Sequence, residues 1–126
     1  ESCDVESLAR ELQYKRIDLL QEYIADPRTS KPEIIQGEIR ILLESALKSK
    51  YYLKLKPYIM SRGWLRDFVE DTALKPLLIS NGSYTDLSDL TTVSGYAHHE
   101  NPPAYQFDET QATTYAQLAL DTLEKL

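Results

Sequence analysis

The stretch that decides the fold is Ser30-Lys31-Pro32-Glu33-Ile34-Ile35-Gln36-Gly37-Glu38-Ile39-Arg40-Ile41-Leu42-Leu43-Glu44-Ser45-Ala46-Leu47-Lys48-Ser49-Lys50. It opens with a helix start signal. Ser30 and Glu33 have the spacing of a capping box, in which each side chain accepts from the other's backbone N–H, and Pro32 suits a first turn that needs no amide donor. Ile35, Ile39, Leu42, Leu43, Ala46 and Leu47 then recur every three or four residues, which places them on one face of a helix. The spacing predicts a helix from Lys31 to about Lys50, with a continuation through Tyr51–Leu55 to a break or kink at Pro57 as the alternative.

Working outward, Val5, Leu8, Leu12, Leu19, Leu20 and Tyr23 mark an apolar face on a first helix, from about Asp4 to Ala25. Ser2 or Asp4 can cap it, and Asp26-Pro27 ends it, because a residue before proline is pushed out of the α region. Downstream, a short helical stretch fits Tyr58–Arg62, ending at Gly63. An amphipathic helix fits Trp64 to about Leu74, with Leu65, Phe68, Val69 and Thr72 on one face. Asn81-Gly82, between Leu77-Leu78-Ile79 and Tyr84, is a signal for a hairpin or a simple turn. Leu87–Val93 suits one short helix, and Gly95–Phe107 reads as loop. The last helix starts near Asp108, with Gln111 as its capping-box partner and Tyr115, Leu118, Ala119, Thr122, Leu123 and Leu126 inward. The expectation is an all-α fold: one domain over residues 1–126, a bundle of about five helices with a long loop before the last. Leu8, Leu12, Leu19, Ile35, Ile39, Leu42, Ala46, Phe68, Tyr115, Leu118 and Leu123 are expected in the core.

Composition excludes several classes. The 126 residues are 42% hydrophobic and 27% charged, ordinary for a globular domain and unlike a disordered chain. No apolar run is long enough to span a membrane. Glu1 in place of Met reads as a trimmed, processed or excised piece of a longer protein. A lone Cys3 gives no internal disulfide and points to a reducing, cytoplasmic setting. The net charge of −6 is uneven: residues 1–75 hold 13 Lys or Arg and 13 Asp or Glu, whereas residues 76–126 hold seven acids and Lys125. Between Ala46 and Arg66 there is no acid at all.

Three constellations could carry chemistry. Arg40 and Glu44 are one helical turn apart, either as a solvated ion pair or as part of a site under a neighbouring element. His98 and His99, the only histidines, are candidate acid–base groups or simply loop residues bonded to backbone and water. They are not expected to hold zinc, since further ligands at usable spacing are missing. Lys48, Lys50, Lys54 and Lys56 enclose Tyr51 and Tyr52, with Tyr58 and Trp64 beyond. Lysines attract phosphate and aromatics stack on unpaired bases, though the same pattern fits core aromatics with solvated lysine tips. No phosphate-binding glycine loop or nucleophile elbow is present, and no cofactor is indicated.

The run Gln36-Gly37-Glu38-Ile39-Arg40-Ile41-Leu42-Leu43-Glu44 is followed by Lys50-Tyr51-Tyr52, then Tyr96-Ala97-His98-His99-Glu100-Asn101-Pro102-Pro103 and finally Thr114-Tyr115-Ala116-Gln117-Leu118-Ala119-Leu120. In this order the segments resemble the C-terminal helical region of AAA/ABC-type ATPases of bacterial phage defence. That group contains the PrrC and RloC anticodon nucleases, whose C-terminal parts are similar to HEPN-like RNases. The resemblance covers residues 34–126. It implies metal-independent RNA cleavage or RNA binding, with Arg40 stabilising phosphate charge, Glu44 orienting a partner, and His98 or His99 as acid or base. It also implies RNA and an ATPase domain as partners. The chain departs from the HEPN pattern in lacking the compact Arg-x-x-x-x-His motif. The competing expectation is a non-catalytic helical domain that docks on a partner protein, its acidic second half facing a basic surface.

Overall fold

A computed structural model of the chain describes residues 2–57, 59, 64–95 and 108–126, with the backbone alone at 2–10, 12 and 93–95. Among these residues there are six α-helices and no strand: α1 (Ser2–Ala25), α2 (Pro32–Tyr51), α3 (Leu65–Val69), α4 (Lys75–Ser80), α5 (Tyr84–Gly95) and α6 (Glu109–Lys125). The all-α expectation holds. The expected stretch at Tyr58–Arg62 and the loop over 96–107 fall mostly or wholly outside the described residues.

α1 stops at Ala25 as the Asp26-Pro27 signal requires, with Asp26 extended at φ −148° and ψ 99°. The Asp26 carboxylate accepts from the Arg28 backbone N–H at 3.1 Å and pairs with the Arg28 guanidinium at 3.0 Å, closing a short 3₁₀ turn over Pro27–Thr29. Arg28 thereby holds the Asp26 carboxyl below its usual range. α2 begins one residue later than a Ser30 cap implies. Lys31, which precedes Pro32, is extended at ψ 147° and occupies the cap position without a side-chain bond. The proline overrides the box, because its ring excludes Lys31 from helical geometry and leaves Ser30 outside. α2 ends at Tyr51, next to the expected Lys50, without the alternative continuation to Pro57, and the Lys54 N–H bonds the Tyr51 carbonyl to start a turn.

The helix expected over Trp64–Leu74 is cut short at Val69. Asp71, nearly buried, turns its carboxylate onto the backbone N–H groups of Ala73 and Leu74 at 3.0 and 3.1 Å. A side-chain acceptor two and three residues back competes with the helical carbonyls and ends the helix. Thr72 is consequently exposed, not inward. Leu77-Leu78-Ile79 lie within α4, and Asn81-Gly82 is an interhelical turn, not a hairpin. Gly82 stands at φ +82°, where only glycine is unstrained. The Asn81 carboxamide oxygen accepts from the Ser83 N–H at 2.9 Å and locks the turn.

α6 packs against both α1 and α2, α5 packs on α2 and α6, and α3 bridges α2 and α5. Ile35, Ile39, Leu42 and Phe68 are fully buried, joined by Leu20, Tyr23, Leu43, Leu47, Leu74, Leu78, Leu87 and Leu90. Leu19, Ala46, Tyr115, Leu118 and Leu123 are half-buried, at the margin of the core instead of its centre. The side chains of Leu8 and Leu12 lie outside the description. Ala119 and Thr122 of α6 face inward as expected, but the helix is turned so that Ala112 and Ala116 share its innermost line with them in place of Tyr115, Leu118 and Leu123. Small side chains let this helix sit close to two neighbours, while its larger leucines fill the flanks. Its start follows the sequence, with the Gln111 N–H on the Asp108 carboxylate at 2.9 Å and the Asp108 N–H on the Gln111 amide oxygen at 3.4 Å.

Candidate nucleic-acid interface

Arg40 and Glu44 project from the side of α2 that faces α3. One Arg40 terminal nitrogen, Nη1, donates to both Glu44 carboxylate oxygens, at 2.9 and 3.1 Å. The two side chains keep only 18% and 11% of their surface exposed. The cover comes from Trp64, whose ring centroid lies 4.9 Å from the guanidinium carbon. Trp64 is itself held at the start of α3, where its backbone N–H donates to the Asp67 carboxylate at 2.8 Å. Trp64 is 48% exposed. Arg40 Nε is buried with no hydrogen-bond partner among the described residues. The arrangement is a stack: carboxylate, guanidinium and indole, each orienting the next. A guanidinium facing a carboxylate and an aromatic ring has both of its attractive interactions satisfied locally.

Beyond the pair, α2 ends in a basic turn. Lys48 is half-buried, while Lys50, Lys54 and Lys56 are exposed. Elsewhere the cations tend to find acids: Arg16 sits 3.1 Å from Glu38, Arg28 3.0 Å from Asp26, Lys75 3.9 Å from Glu70 and Lys125 2.7 Å from Asp86. Lys48, Lys50, Lys54 and Lys56 form no ion pair with any described residue. Lys48 and Lys50 lie in the last turn of α2, where they also offset the negative end of the helix dipole. Lys54 and Lys56 lie past the helix and have no such role.

The two tyrosines of the turn separate. Tyr51 packs against the core, and its hydroxyl accepts from the Asn81 side-chain amide at 3.4 Å, so it ties α2 to the α4–α5 turn. Tyr52 is 56% exposed and the neighbouring Leu53 84% exposed. Leu53 was not singled out by sequence reasoning. The available signal was its position one step past the end of the apolar stripe, between an aromatic and a lysine.

His98 and His99 lie outside the described residues, and with them the expected meeting of Arg40, Glu44 and an imidazole. Among the described residues no group of three His, Cys, Asp or Glu side chains could hold a metal ion, and no helix is long and apolar enough to cross a membrane. Two further features stand away from Arg40. A shallow cleft of about 300 Å³ opens between α1 and the C-terminal ends of α2 and α6, lined by Gln13, Ile17, Ala46, Ser49, Lys50, Leu123 and Leu126. The Tyr23 hydroxyl is fully buried with no hydrogen-bond partner among the described residues, and burial, with Glu109, Glu33 and Asp108 nearby, pushes its pKa up.

No protein-family model, curated protein or solved structure matches the chain. The resemblance to the phage-defence ATPase region therefore stands on the residues that carry it.

Proposed function

We propose that the protein is a helical RNA-binding module, and that the basic turn after α2 is its contact surface. The observation that carries this reading is the set of Lys48, Lys50, Lys54 and Lys56, without ion-pair partners among the described residues, around an exposed Tyr52. Unpaired lysines release counterions when they meet phosphates, and an exposed ring adds stacking on an unpaired base. A setting in phage defence, with an ATPase domain as neighbour, accompanies the reading through the resemblance. Cleavage by Arg40, Glu44 and His98 or His99 is the stronger version of the same proposal. It requires the Arg40–Glu44 pair to open, because a neutralised guanidinium attracts phosphate weakly.

The test is fluorescence anisotropy with labelled single-stranded RNA of about 4–16 nucleotides, repeated across salt concentrations. Three to four phosphate contacts give a log–log salt slope of about −2 to −3, and Lys54→Ala with Lys56→Ala should reduce its magnitude by about 1.4. Absence of binding, or a slope that ignores both lysines, would reject the reading. The exposure of Leu53 favours the second reading, a non-catalytic domain that docks on a partner protein, since an aliphatic tip serves a protein contact better than a phosphate backbone. In that case the lysine variants would leave RNA untouched.

A further inference from the structure

We infer that the cleft between α1 and the C-terminal ends of α2 and α6 is a subsite for one unpaired nucleoside of the bound strand, with Lys50 at its mouth to meet the adjoining phosphate. The inference rests on the RNA reading and adds a second point of contact to it, which neither the resemblance nor the lysine cluster assigns.

Three observations converge on it. First, the size and walls of the cleft suit a base. About 300 Å³ is the lower end of small-molecule sites, room for one base with its ribose and too little for a duplex. Ile17, Ala46, Leu123 and Leu126 line it, and all four are only half-buried, so each has apolar surface left to cover. A base laid against these groups takes that surface out of water. Second, the polar groups of the cleft have unspent hydrogen-bonding capacity. The Gln13 side-chain amide donates to the Ser45 hydroxyl at 3.4 Å, which orients it and leaves its oxygen without a partner among the described residues. The Ser49 hydroxyl lines the cleft, is exposed and has no partner among the described residues. An amide and a hydroxyl both donate and accept, as the edge of an unpaired base requires. Third, the cleft is continuous with the basic turn. Lys50 lines it and stands two residues before Tyr52. A strand whose phosphates follow Lys50, Lys54 and Lys56 therefore passes the mouth of the cleft, where one nucleotide can turn inward while its neighbour stacks on Tyr52.

The orientation of the nucleotide follows from charge. The carbonyl ends of two helices lie at this cleft, and their negative partial charge disfavours a phosphate inside it. The base goes in, and the phosphate stays out at Lys50. Gln13 and Ser49 touch the base, while Lys54 and Lys56 keep their phosphate contacts.

The experiment titrates the full, methyl-labelled chain with adenosine 5′-monophosphate and, separately, with inorganic phosphate, following methyl resonances by NMR. Anisotropy with a fluorescent oligoadenylate of about eight nucleotides is measured alongside. The expected result is movement of the Ile17, Ala46 and Leu123 methyl signals with the nucleotide but not with phosphate. Ala46→Met, which fills the cleft from the α2 side, should weaken oligoadenylate binding about 5- to 100-fold, the range for loss of one base contact. The salt slope should not change, because no phosphate contact is removed. Leu126→Trp, which fills the cleft from the end of α6, should act in the same direction. Lys54→Ala with Lys56→Ala should do the reverse, lowering the slope while the nucleotide still moves the cleft methyls. If the oligonucleotide binds while the cleft methyls stay still under the nucleotide and both filling variants bind like the wild type, the subsite is overturned and the lysine reading stands. If the wild type binds no RNA, the RNA reading fails and the subsite with it.

Discussion

At Arg40 and Glu44 the charges of α2 face each other beneath an indole ring, nearly out of solvent. From Lys48 to Lys56, the charges face water with no described acid in reach. Both regions belong to or continue the same helix, but the first sets a base and an acid one turn apart and the second gathers four lysines with no acid among them. The first is a mechanical element, because its charges are consumed in fixing one another. The second has binding capacity, because no described acid answers its charge. The sequence shows the difference in charge, and the structure adds the neighbours: α3 brings Trp64 to Arg40, and nothing described brings an acid to the turn.

This contrast can be broken or sharpened by substitution. The largest effect is expected on the opposite side of α2, which sets the scale for the rest. Leu42→Ala removes a fully buried side chain and should lower unfolding free energy by about 2–5 kcal/mol in urea denaturation. A cost below about half a kcal/mol would show the core face to be misassigned. Next comes Glu44→Gln, which leaves a partly covered guanidinium facing a neutral amide and should cost about 1–3 kcal/mol. Replacing both partners together, Arg40→Met with Glu44→Leu, should cost less than Glu44→Gln alone, since no uncompensated charge remains. If Glu44→Gln is silent, the pair is no different from an exposed one and the contrast collapses.

A smaller effect of opposite sign is expected at Tyr23. Its buried hydroxyl lacks a partner among the described residues, so Tyr23→Phe should stabilise the protein by about 1 kcal/mol. The pH dependence has a definite direction. The folded pKa is raised, so the neutral phenol's contribution is fully present below the unfolded value near 10 and is lost as pH rises through the folded value. Wild type should therefore lose stability in alkaline denaturation more steeply than Tyr23→Phe. The smallest stability effect belongs to the open turn: Lys54→Ala and Lys56→Ala should each stay within about 0.5 kcal/mol of wild type while altering the salt slope of binding. A large stability loss there would mean that these lysines are structural after all.

The helical class and the two long helices flanking the core were readable because their signals are local and periodic. Ile35, Ile39 and Leu42 repeat over about two turns, and the Asp108 and Gln111 side chains cap the helix that follows them. Asp26-Pro27 acts on its own neighbours. The missed boundaries have in common a side chain or ring that competes with a pattern. Pro32 displaces the Ser30 box, the Asp71 carboxylate captures two amides in mid-helix, and the Asn81 side chain turns an apparent hairpin signal into an interhelical corner. The rotated register of α6 was hidden for another reason: periodicity weights large apolar residues, whereas a helix between two neighbours buries its small ones. At the candidate site, the Arg40–Glu44 pair was visible as a spacing. Its cover by Trp64, twenty residues beyond Glu44, was not, because no local rule relates the two.

The alanine stripe of α6 has its own consequence. At Ile39 or Leu42 the fold imposes a minimum size, and any shortening leaves a void. At Ala112, Ala116 and Ala119 it imposes a maximum, and even a valine would wedge the helix away from α1 and α2. Random substitution almost always enlarges an alanine, whereas it usually shrinks a leucine. The two halves of this core therefore filter variation in opposite directions, and a library varied at both should keep large residues in α2 and reject them along one edge of α6.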